Sequence, residues 1–132
     1  SDGVRAAFVD ADTENVIIVH GRMASVALEA RQILAQSAKS CGVILCEFIS
    51  PYDELADAII PLLPSGAKLL IAEEEIMRGG FAMNLSDSLR RKGDNHTILT
   101  SAVVDDFVVH ASGQTVFEAA GVDARSLVKL LS

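Results

Sequence analysis

Apolar residues fall into two rhythms along this chain. Val16-Ile17-Ile18-Val19, Val43-Ile44-Leu45-Cys46-Glu47-Phe48 and Lys68-Leu69-Leu70-Ile71-Ala72 are short, nearly continuous apolar runs, the form a strand takes when helices cover both its faces. Between the runs the spacing changes to three and four. Met23, Val26, Ala27, Ala30, Ile33, Leu34 and Ala38 mark one face of a helix of about four turns, with Gly42 as its expected terminator. Pro51 and the acids Asp53 and Glu54 open a second helix, whose buried face is Leu55, Ala56, Ile59 and Leu62 or Leu63, and Pro61 and Pro64 limit it. Phe81, Ala82, Leu85 and Leu89 predict a third helix, stopped by Arg90-Arg91-Lys92 and Gly93. Thr97 to Thr100 is a fourth strand and Val103 to His110 a mixed segment; Gln114 to Ala120 is a short helix closed by Gly121, and Asp123 caps a last helix through Leu131. Residues 1–15 are a lead-in, with Arg5 to Val9 as an edge strand or extended segment before the polar turn Asp10 to Asn15.

Strands alternating with helices predict crossover units around a mostly parallel sheet with helices on both faces, an α/β fold. Partners and ligands meet such sheets at the carboxyl ends of the strands. His20-Gly21-Arg22, Phe48 to Asp53 and Glu73 to Gly80 are therefore expected on one rim. The length of 132 residues fits a single domain over 1–132, and no apolar window approaches the roughly 18 residues of a membrane-spanning helix.

Charge narrows the partner classes. A formal net charge of −7 is the reverse of the basic footprint that a phosphate backbone requires, and with no Trp and one Tyr there is no platform for stacking bases. Nucleic acid and membrane are thus not expected partners. Cys41 and Cys46 have neither C-x-x-C nor zinc spacing and read as buried or half-buried thiols in a reduced compartment, the cytosol. The opening Ser1-Asp2-Gly3 carries no initiator Met and no signal pattern, which predicts either a removed tag or a piece cut from a longer polypeptide, and later residues favour the second.

Each candidate site has a plain structural counterpart. His20-Gly21-Arg22 could hold an anion on helix-start amides and a guanidinium, but it lacks both G-x-G-x-x-G and G-x-x-x-x-G-K spacing, so a tight turn that needs glycine is the simpler reading. Glu73-Glu74-Glu75 could supply a general base or bind a hard cation. Neighbours at a strand end point opposite ways, so at most two of these acids converge, and a solvated edge or subunit contact is favoured. Gly79-Gly80 is expected to allow close backbone approach before a helix. His20, His96 and His110 lie on separate elements, and neither G-x-S-x-G nor H-E-x-x-H occurs, which disfavours a hydrolase; Ser25, Ser112 and Asp105 could converge only through folding.

The ordered set Gly21 with Met23, Ala27-Leu28-Glu29-Ala30 with Ile33-Leu34, Pro51 and Asp53, Glu73-Glu74 with Gly79-Gly80-Phe81, and Asp106-Phe107, His110 and Gly121-Val122-Asp123 resembles the C-terminal domain of transketolase-like thiamine diphosphate enzymes. The late motifs are most similar to the 1-deoxy-D-xylulose-5-phosphate synthase branch. Tyr52, where Leu is usual, and Ala111-Ser112 after His110 depart from its pattern, and a 2-oxoacid dehydrogenase relative is an alternative. The resemblance implies a three-layer α/β/α sandwich around a five-stranded mixed sheet whose first strand is antiparallel. It also implies that thiamine diphosphate and magnesium are held by other domains, because the Gly-Asp-Gly motif that binds them is absent here. The chain would then be non-catalytic alone and would support a homodimer, with His20, Gly21, Arg22, Glu73, Glu74, Gly79 and Gly80 as a possible interface or anion rim. A stand-alone module binding a small anion or a protein partner is the competing reading.

Overall fold

The computed structural model describes residues 3–74, 79–103 and 116–132, with the side chains of 116–123 excepted. The elements are β1 (Val4–Ala7), β2 (Asn15–His20), α1 (Ala24–Gln36), β3 (Cys41–Cys46), α2 (Tyr52–Ile59), β4 (Lys68–Glu74), α3 (Phe81–Arg91), β5 (Thr97–Val103) and α4 (Val116–Leu131). They build one five-stranded sheet in the order β1-β3-β2-β4-β5. β1 runs antiparallel to β3, and every other pairing is parallel. The expected mixed sheet with an antiparallel first strand is present.

The chain reverses direction across the sheet at its centre. From β2 it crosses through α1 to β3 on one side, then returns through α2 to β4 on the other side of β2. Because parallel crossovers keep one hand, these two connections must cover opposite faces. The core divides accordingly. Val26, Ala27, Ala30 and Leu34 of α1 and Ala124, Leu127 and Leu131 of α4 pack on Ile17, Val19, Val43, Leu70 and Ala72. Leu55, Ala56 and Ile59 of α2 and Phe81, Ala82, Leu85 and Leu89 of α3 pack on Val16, Ile18, Ile44, Leu69 and Ile71. Strand alternation sends neighbouring residues of β2 and β4 into different cores, which is why those strands read as continuous apolar runs.

Several expectations need correction. Gly42 does not terminate α1; it lies inside β3. The helix ends in a Schellman motif, in which Lys39 N–H donates to Leu34 O at 3.0 Å and Ala38 N–H to Ala35 O at 3.0 Å, with Ala38 left-handed at φ 58°. Gly42 is needed for space instead: a Cβ there would meet the Val9 side chain and come within 3.0 Å of Phe8 O. Nor does Gly121 close a helix or Asp123 cap one, because α4 runs unbroken from Val116 to Leu131. A lone glycine costs a helix interior only about 1 kcal/mol, which packing outweighs. β5 runs to Val103, three residues beyond Thr100, because its ladder with β4 continues to the pair Glu74–Val103. β3 is offset from the expected Val43–Phe48, and β1 from Arg5–Val9. Asp105, His110 and Ser112 fall outside the described residues, as do Asp106, Phe107 and Glu75.

Candidate functional site

β2 and β4 are neighbours whose following helices lie on opposite faces, so their carboxyl ends flank the point where strand order reverses. His20-Gly21-Arg22 leaves β2 here, and Glu73-Glu74 ends β4. A 3-10 turn, Gly21–Met23, joins β2 to α1 with no side-chain cap. Gly21 lies outside the left-handed region, and a Cβ on it would meet only Cys46 O at 3.9 Å. The fold of this chain therefore does not require glycine at 21, contrary to the tight-turn reading. The buried His20 Nδ1 has no hydrogen-bond partner among the described residues.

The two acids separate as strand geometry requires. Glu74 reaches the α1 face, where its Oε1 lies 3.4 Å from Arg22 Nε. Glu73 reaches the α3 face. Its Oε2 accepts from Gly79 N–H at 2.6 Å and its Oε1 from Ala82 N–H at 2.7 Å. Neither acid forms a solvated edge: Glu73 is 5% and Glu74 4% exposed. The sequence reading took a polar run for a wet one, whereas here backbone amides and a guanidinium replace the water. Gly79 is also explained differently from expectation. It sits at φ +81° with nothing within 4 Å of a built Cβ, so its backbone angle, not close approach, demands glycine.

Phe48 to Asp53 joins this rim only in part. Phe48 lies against Gly3 near a cleft lined by Pro51, Glu54 and Asp57. Tyr52 turns toward α3, its ring centroid 6.5 Å from that of Phe81. Burial pushes the Tyr52 phenol up, hydrogen bonding to Asn84 lowers it, and the Glu73 charge raises it; the net shift is upward. Asp53 accepts from Ser88 Oγ at 2.7 Å and from Arg91 Nη2 at 2.9 Å, and Arg91 Nε donates to Asp87 at 2.9 Å. Hydrogen bonds from Arg91 and then from Ser88 hold the Asp53 carboxyl below its usual range. This exposed strap ties the start of α2 to the end of α3. Sequence reasoning missed it, although Asp87 and Arg91 stand four apart on a helix.

A cleft of about 610 Å³ opens between α3 and β5, walled by Glu73, Gly79, Met83, Arg90, Thr100 and Ala102 among others. Among the described residues no three His, Cys, Asp or Glu side chains come together to hold a metal ion. Both thiols are buried, and desolvation pushes Cys41 and Cys46 up to about 12, leaving no nucleophilic thiolate at neutral pH.

Residues 5–127 match the family model for the transketolase, C-terminal domain. The chain belongs to the transketolase C-terminal domain family. As a member, it is 31% identical over 117 residues to 1-deoxy-D-xylulose-5-phosphate synthase of Chlamydia felis (strain Fe/C-56), a match covering 88% of this chain and 18% of that protein. The synthase of Geobacillus thermodenitrificans (strain NG80-2) is 28% identical over 113 residues, again with 85% of this chain and 18% of the relative covered. This transketolase C-terminal domain thus spans about a fifth of the length of the relatives it matches. A split-gene transketolase, solved as an inactive β4 tetramer, shares the fold at a TM-score of 0.62 and 23% identity, over 95% of this chain and 39% of that one.

The described residues do not form a set that fits thiamine diphosphate or its metal. The rim acids are committed to the α3 amides and Arg22, and no carboxylate cluster forms among the described residues.

Proposed function

We propose that this chain is the C-terminal structural domain of a thiamine diphosphate-dependent, transketolase-like transferase of the 1-deoxy-D-xylulose-5-phosphate synthase type. It folds as one domain over 1–132, catalyses nothing by itself, and uses the β2/β4 rim to support the cofactor-binding domains of its parent and that parent's homodimer in the cytoplasm. One observation carries this reading: the family match covers residues 5–127, while the relatives are more than five times as long as the matched stretch, which is 18% of their length. The rim supports it further, because its acids are engaged within the fold, Glu73 by the Gly79 and Ala82 amides and Glu74 by Arg22, instead of standing as free catalytic groups. Among the described residues no helix is long and apolar enough to cross a membrane.

Calorimetric titration of the purified chain with thiamine diphosphate and magnesium is expected to give no heat. Mixing the chain with separately expressed cofactor-binding domains of the parent is expected to give a complex on gel filtration. Micromolar cofactor binding by the chain alone overturns the reading. A second reading is a small-anion module at the α3–β5 cleft, where Arg90, Thr100 and Ser101 stand beside the acids Glu73 and Asp87. A rise in melting temperature with inorganic phosphate or nucleotides would support that module against the structural role.

A further inference from the structure

Helix α3 starts without a cap of its own. Its N-cap is Gly80, which has no side-chain acceptor, and its first turn holds no acid. First-turn amides of a helix have no partner within the helix and must find one elsewhere. Glu73 supplies it from the preceding strand. One carboxylate takes both Gly79 N–H and Ala82 N–H, from a side chain that is buried and that pairs with no cation among the described residues. The charge balancing it is the positive end of the α3 dipole. Asn84 Nδ2 closes the same turn from the other side by donating to Gly80 O at 2.6 Å.

We propose that the Glu73 carboxyl group is a two-point clasp that fixes the switch-point rim, tying the end of the central strand to the entry of α3 and holding Gly79 in its left-handed conformation. The triple acid has a division of labour: Glu73 shapes the rim from the α3 side, and Glu74 anchors Arg22 from the α1 side. The clasp does not depend on what the rim docks. It needs two acceptor oxygens as well as the shape. In Glu73→Gln the amide nitrogen would face a backbone N–H, donor against donor, so glutamine removes one of the two bonds and adds a repulsion.

The test is hydrogen exchange on the full chain followed by NMR. In Glu73→Gln, protection of the Gly79 and Ala82 amides is expected to fall about tenfold or more, the scale of a lost charge-assisted bond, while Ile17 and Ile44 in the sheet keep theirs. Unchanged protection at Gly79 and Ala82 would overturn the proposal. So would an equal loss at all four amides, which would make Glu73 a general stabiliser. Should the variant not fold, the unsubstituted chain decides. Couplings across the hydrogen bonds are expected from both amides to the Glu73 carboxyl carbon, and their absence refutes the clasp.

Discussion

His96 illustrates how a residue on no recognisable motif acquires a definite role. Its Nε2 lies 2.7 Å from Pro64 O, and its Nδ1 lies 2.7 Å from Asp94 Oδ1. Both neighbours are acceptors, so only the doubly protonated ring satisfies both. Burial pushes the ring's pKa down, but the Pro64 carbonyl and the Asp94 carboxylate together outweigh it, and the net shift is upward. A raised folded-state value means that stabilisation is complete below the unfolded value of about 6.5 and is lost as pH rises through the folded one. The melting temperature of the parent chain should therefore exceed that of His96→Gln by most near pH 5.5, with the gap narrowing toward pH 8.5. A gap that does not change with pH would exclude this linkage.

Glycine placement decides how two elements meet. Ala38 occupies the left-handed position after α1, where an L side chain is strained, while Gly42 occupies a strand position where only its lack of a side chain lets the lead-in pass. Ala38→Gly is accordingly expected to stabilise the chain by about 0.5–1 kcal/mol, the left-handed penalty less the entropy of an added glycine. Gly42→Ala is expected to destabilise it by about 1–3 kcal/mol through overpacking against Val9 and Phe8. Urea denaturation reads both, and effects of the same sign would contradict this assignment. Gly93, by contrast, does terminate α3 as expected. It sits at φ +91°, and Asp94 N–H bonds Leu89 O at 3.0 Å. Both glycines follow a helix by a few residues, and local spacing does not distinguish a glycine that ends a helix from one that makes room for a distant strand.

The whole molecule is a sheet between two cores that share β2, β3 and β4. Leu69 and Leu70 are adjacent on β4, both fully buried, and face opposite cores. Truncating either to Ala should cost about 2–5 kcal/mol. Because one strand serves both cores, each variant is expected to shift one common unfolding transition, seen alike by far-ultraviolet dichroism and by calorimetry. Two separate transitions would refute a single domain.

Periodicity was enough to determine the α/β class, the apolar runs of β2, β3 and β4, and the three helices that follow them, since each records local burial on one or two faces. The ordered motifs pointed to the family that the match over 5–127 establishes. Tertiary structure alone decided the strand order, the course of α4 through Gly121 and the fate of the acids. Glu73 and Glu74 differ in nothing local. They part because alternation turns one toward the bare amides of α3 and the other toward Arg22, partners that the chain brings near only when β2, β4 and their helices have packed. A carboxylate's surroundings are set by what folds against it, and sequence spacing carries no record of that.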